Sequence, residues 1–121
     1  MRKFLLGSAL ALGLAAPAHA EMTVAQFLTK ANALKAKGMM AVFSKDLKPV
    51  MNEAKGAFQQ LKLEGEQRKA AGLPPRACPP KGTKMSSDEF LAMLSAIPPA
   101  ERGMSLKDGL ARAMATRFPC R

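Results

Sequence analysis

Residues 78–120 read CPPKGTKMSSDEFLAMLSAIPPAERGMSLKDGLARAMATRFPC, and the fold turns on how this stretch is parsed. Ser86 stands three residues before Glu89, the spacing of a capping box, and Met85 and Phe90 are placed to pack as a hydrophobic staple. Phe90, Leu91, Leu94 and Ile97 then recur at helical spacing, until Pro98-Pro99 stops the run. Ser105, with Asp108 three residues on, opens a second helix carrying Leu106, Leu110, Ala113 and Met114, and Pro119 ends it. The chain's two cysteines, Cys78 and Cys120, bound the stretch. Two cysteines allow one intramolecular pairing. A Cys78–Cys120 bridge would close a loop of about 42 residues and stabilise the fold by roughly 4 kcal/mol through loop-closure entropy. Two free thiols or an intermolecular bridge are the alternatives.

Immediately upstream, Gly72 to Lys84 is punctuated by Gly72, Pro74, Pro75, Pro79, Pro80 and Gly82 and reads as a loop. Its cations Arg76, Lys81 and Lys84 meet no acid in sequence before Asp88. A binding loop and a purely structural, disulfide-held loop are both open readings.

The region before the loop is helical in pattern. Thr23 and Gln26 make a T-x-x-Q capping box, and Val24, Phe27, Leu28, Ala31 and Leu34 form an apolar stripe. The spacing predicts a helix over 24–37, closed by Gly38, with Lys35 and Lys37 suited to the negative end of the helix dipole. A short apolar piece, Met39 to Phe43, leads to Ser44 or Asp46 as the next N-cap. From there a long helix is expected as far as Ala71, with Pro49 tolerated only near its first turn. Leu47, Met51, Ala54, Phe58 and Leu61 are its expected seam. Gly56 and Gly65 weaken it by about 1 kcal/mol each unless they let a neighbouring helix come close. Lys48, Lys55, Lys62 and Lys69 repeat every seventh residue and flank that seam as a basic ridge. The ridge is either an anion-facing surface or a solvated face whose lysine stems cover apolar edges.

At the other end, Arg2 and Lys3 precede an apolar run from Phe4 to Ala16, and Ala18-His19-Ala20 has the form of a cleavage site. The run is shorter than the roughly 20 apolar residues of a membrane span. The expectation is an export signal cut between Ala20 and Glu21, with no cysteine there for lipid attachment and a periplasmic destination where disulfides form. Cleavage leaves 101 residues with 17 basic and 9 acidic groups, a net charge of +8, and removes His19, the only histidine. With no Trp or Tyr, the remaining aromatics are Phe27, Phe43, Phe58, Phe90 and Phe118. About 100 residues is one domain, small enough for a disulfide to matter.

This composition narrows the chemistry. Without histidine, Ser-His and Cys-His nucleophilic pairs and histidine-based zinc sites are ruled out. Glu64 and Glu66 read as solvated, Asp88 and Glu89 as helix-start residues, and no glycine-rich phosphate loop is present. An enzyme is not expected, and neither is a cofactor. The methionines left after cleavage suit core filling better than Cu(I), since none form a compact M-x-x-M cluster. The positive charge points to an acidic partner protein, anionic lipid headgroups or acidic envelope polymers. Nucleic acid is disfavoured by export and by the lack of Tyr and Trp stacking platforms.

The order C-P-P, short polar run, amphipathic helix, proline break, second helix and terminal F-P-C resembles the ending of type VI secretion amidase immunity proteins of the Rap/Tai type. The likeness covers Cys78 to Cys120, and the signal segment and preceding helices agree with it in layout. The same ending is similar to that of small exported bacterial proteins with no assigned activity. The resemblance implies a small helical periplasmic protein that binds and blocks a peptidoglycan-cleaving amidase, often as a homodimer, with Cys78 and Cys120 as structural residues.

The expected architecture is all-α, a single domain over 21–121 of about four helices stapled by one disulfide. The expected function is a non-catalytic binding or inhibitor protein of the immunity type. The second reading is a basic envelope protein that holds anionic lipid or cell-wall polymer through Lys48, Lys55, Lys62 and Lys69, with Lys81 and Lys84 adding to the charge.

Overall fold

The computed structural model describes residues 21–121; the expected export signal over 1–20 and the expected cut after Ala20 lie outside them or at their edge. In chain order the elements are α1 (Val24–Ala36), a 3-10 turn (Gly38–Phe43), α2 (Leu47–Ala70), α3 (Ser87–Ser95), a short 3-10 turn (Pro99–Glu101) and α4 (Leu106–Arg117). The fold is all-α with four α-helices among the described residues, joined by one disulfide.

Capping residues set the starts. Thr23 and Gln26 form the reciprocal box, with Gln26 N–H donating to Thr23 Oγ1 and Thr23 N–H donating to Gln26 Oε1, both at 3.1 Å. Ser86 accepts from Glu89 N–H at 3.1 Å, and Ser105 accepts from Asp108 N–H at 3.1 Å. The Glu89 carboxylate does not complete the expected box; it pairs with Arg117 of α4 at 3.3 Å. An ion pair that joins α3 to α4 takes the place of the carboxylate's local bond to the Ser86 N–H. Of the two expected caps, Asp46 is the N-cap of α2 but makes no side-chain capping bond, and its N–H donates to Ser44 Oγ at 3.2 Å. Gly38, at φ 57°, turns the chain out of α1, a left-handed conformation that suits glycine.

The starts of α1 and α4 are bonded to each other. Val24 N–H donates to Met104 O at 3.0 Å, Ala25 N–H to Arg102 O at 2.9 Å, and Leu106 N–H to Met22 O at 2.9 Å. These are first-turn amides with no partner inside their own helices, so each helix start is satisfied by the segment leading into the other. The extended caps Thr23 and Ser105 pair as an isolated antiparallel bridge at the same place.

Close approach here depends on Gly109. A Cβ at that position would lie 2.2 Å from Val24 Cγ2 and 3.4 Å from Ile97 Cδ1. The expected role of Gly56 and Gly65 in close packing is not realised, because a Cβ at either would meet nothing within 4 Å.

The core comprises Val24, Phe27, Leu28, Ala31 and Leu34 from α1, Val50 and Ala57 from α2, Phe90 and Leu94 from α3 with Ile97 after it, and Leu106 and Leu110 from α4. Phe90 is its aromatic hub, 5.6 Å from Phe27 in a T-shaped pair and 5.4 Å from Phe58. On α2 the expected seam is rotated by part of a turn. Val50 and Ala57 are buried, while Met51 and Phe58 are 47% and 40% exposed. Leu47-Val50-Ala54-Ala57-Leu61 has the same three-and-four spacing as the predicted seam, so periodicity alone does not choose between them. Small Ala57 on this face stands beside Leu106 of α4, the most extensive neighbour of α2, while Ala54 faces α1 and α3.

The loop after α2 is tied down along its length. Arg68 Nε donates to Pro74 O at 2.8 Å, and Arg76 pairs with Glu64 at 2.9 Å. Cys78 N–H donates to Phe118 O at 2.8 Å, and the Cys78–Cys120 disulfide joins the loop to the chain beyond α4. Glu64 is therefore not the solvated carboxylate expected. It is mostly buried and also lies 3.7 Å from Lys107 Nζ, so one side chain links α2, the loop and α4.

Candidate docking surface

The first three helices and the 3-10 turn enclose a groove of about 430 Å³. Its floor is apolar, built from Phe27, Ala31 and Leu34 of α1, Leu47 and Val50 of α2, and Phe90 of α3. Lys35 and Asp88, paired at 3.1 Å, and Ser87 supply its polar edge. The groove follows from the rotation of α2: with Val50 rather than Met51 turned into the core, Met51 stands at the groove wall and leaves its length open.

Beside the groove the 3-10 turn forms a ledge. A 3-10 helix has three residues per turn, so residues i and i+3 share a face. Gly38 and Ala41 line the groove. Met39, Met40, Val42 and Phe43 point away from it and are between 64% and 91% exposed. Single exposed apolar side chains are ordinary, whereas a contiguous set marks an interaction site. Periodicity passes over these residues because a six-residue apolar run shows no amphipathic stripe. The run GMMAVF between KAK and SK is nevertheless a visible anomaly in the sequence.

The lysines singled out from sequence are placed as follows. Lys48, Lys55, Lys62 and Lys69 are all exposed along α2. At 100° per residue they lie about 130° from the centre of the buried face, so they do not flank the seam but face solvent across the helix. Met51 and Phe58 fall between. Lys81 and Lys84 are exposed in the loop before α3. None of the six joins an ion pair among the described residues, whereas Arg76 is committed to Glu64. Glu21, at the expected cleavage junction, is exposed and accepts from Gln60 Nε2 at 3.0 Å.

A second hollow, of about 260 Å³, lies between α2 and the start of α4, with Glu21, Asn52, Glu53, Gln60 and Lys107 around it. Among the described residues no three His, Cys, Asp or Glu side chains come together as a metal site, and no helix is long and apolar enough to cross a membrane. No family model, curated protein or solved structure matches the chain.

Proposed function

We propose that this is a periplasmic binding protein of the immunity type, which acts without chemistry of its own by docking on a peptidoglycan-cleaving amidase. The observation that carries the docking reading is the open apolar groove between α1, α2 and α3. An apolar floor with a few polar groups at its edge suits an inserted side chain or short segment of a partner protein. The C-P-P…F-P-C frame supports the choice of partner class, through the resemblance it bears.

The test is protection of cells that produce a periplasmic amidase of the type VI effector class, together with isolation of a complex from the two purified proteins. Protection that is lost in Ala54→Arg, which fills the groove from α2, is the expected result. No protection and no complex across a panel of such amidases refutes the proposal.

A second reading, attachment to anionic lipid or cell-wall polymer through Lys48, Lys55, Lys62 and Lys69, is favoured by their exposure and by their joining no ion pair among the described residues. It predicts binding to teichoic or lipopolysaccharide polyanions that weakens steeply with salt and with charge reversal at those four positions. Binding that ignores both is incompatible with it.

A further inference from the structure

The ledge carries an inference of its own, separate from the groove. Its backbone is held in place: Met40 N–H donates to Lys37 O at 3.1 Å and Ser44 N–H to Ala41 O at 2.9 Å. Lys37 Nζ reaches across the base of the turn to Ser44 Oγ at 3.3 Å. The four apolar side chains are thus projected by a fixed turn. Projecting four such side chains into water is unfavourable unless something covers them.

Charge indicates what covers them. Lys35 and Lys37 precede the turn, Lys45 and Lys48 follow it, and Asp46 is the sole acid between Lys35 and Lys48. Lys35 is engaged with Asp88, which leaves Lys37, Lys45 and Lys48 exposed and outside any ion pair among the described residues, flanking the apolar tip in sequence. A second copy of the chain would bring two such lysine sets together, each on a strongly basic protein. A surface that is apolar within and negative at its rim matches both parts. An anionic phospholipid bilayer has that arrangement: an acyl boundary for the apolar side chains, phosphates for the lysines above it. The lysine stems reach along apolar surface while their ammonium groups stay with the headgroups. Two of the four tip residues are methionines, unbranched and adaptable, which suits a disordered lipid boundary.

We propose that Gly38–Phe43 is a membrane wedge. Met39, Met40, Val42 and Phe43 enter the interface of an anionic bilayer, and Lys37, Lys45 and Lys48 hold its headgroup phosphates. Of the lysine ridge Lys48, nearest the turn, takes part, while Lys55, Lys62 and Lys69 lie about 10, 20 and 30 Å further along α2 at 1.5 Å per residue.

The experiment is co-sedimentation of the purified protein with vesicles of phosphatidylglycerol and phosphatidylcholine, against vesicles of phosphatidylcholine alone. Binding to the anionic vesicles that drops at least about tenfold in Met40→Ser/Phe43→Ser is expected, as is a comparable loss in Lys37→Glu/Lys45→Glu. The chain has no tryptophan, so Val42→Trp gives a single reporter. Its emission should shift to the blue on binding and be quenched by brominated lipid. All five positions are exposed, and circular dichroism of each variant checks that the fold is kept.

Absence of binding to anionic vesicles overturns the wedge. So does binding that survives Met40→Ser/Phe43→Ser but is abolished by charge reversal at Lys55, Lys62 and Lys69. Loss of amidase protection in Met40→Ser/Phe43→Ser, with no vesicle binding by the unmodified protein, also overturns it and gives the ledge to a protein partner instead. Because vesicle binding and amidase protection are read separately, either proposal can fail while the other stands.

Discussion

Replacing Gly109 by Ala tests the packing of the whole bundle with one methyl group. The new Cβ would lie 2.2 Å from Val24 Cγ2. Carbon atoms settle at about 3.5–4.0 Å, so the two groups must separate by more than about 1 Å. Val24 is fully buried, and its β-branched side chain has little rotamer freedom in a helix. Its backbone is also held, through Val24 N–H to Met104 O at 3.0 Å. Relief therefore has to come from moving α1 against α4. Overpacking of this kind costs about 1–3 kcal/mol, and contact with a fully buried β-branched residue belongs at the upper end. Alanine returns about 1 kcal/mol through helix propensity. The expected net loss is about 2 kcal/mol, or roughly 8–16 °C in Tm for a domain of this size. Gly56→Ala and Gly65→Ala gain the propensity term with nothing within 4 Å to strike, so their melting temperatures should rise by a few degrees. Thermal melts followed by far-UV circular dichroism compare the three. A Val24→Ala background, which removes the atom that is struck, should make Gly109→Ala markedly less harmful. A Gly109→Ala protein that melts at or above the parent temperature would refute the proposed α1–α4 contact.

The remaining predictions concern the staple, the loop and the seam. Reduction, or Cys78→Ser with Cys120→Ser, should lower stability by up to about 4 kcal/mol from loop entropy, visible as a large fall in Tm; an unchanged melt with reductant would contradict the bridge. Glu64→Ala removes the shared partner of Arg76 and Lys107 and should cost about 1–2 kcal/mol in a denaturant titration, whereas Glu66→Ala, on the exposed side of α2, should change little. Val50→Ala should destabilise by about 1–2 kcal/mol and Met51→Ala by clearly less; the reverse order in the same titration would restore the seam predicted from sequence.

Local signals in the sequence determined the elements. Thr23, Ser86 and Ser105 mark helix starts, and Gly38, Pro98 and Pro119 mark stops, because caps and breakers act within one turn of their own position. The cysteine pairing was also open to reading, since the chain offers a single intramolecular choice. Rotation about a helix axis is another matter. Val50 and Met51 both satisfy a heptad, and only the packing of α2 against α1 and α4 decides which is buried. The same holds for glycine: Gly56, Gly65 and Gly109 are alike in sequence, and Val24, 85 positions before Gly109, makes one of them indispensable. Glu64 and Arg76 meet only when the loop folds back along α2. The groove and ledge arise in the same way, as surface left uncovered once the other apolar faces have found partners. Short-range physics fixes where helices begin and end; long-range packing decides which faces they bury and which surface remains for a partner.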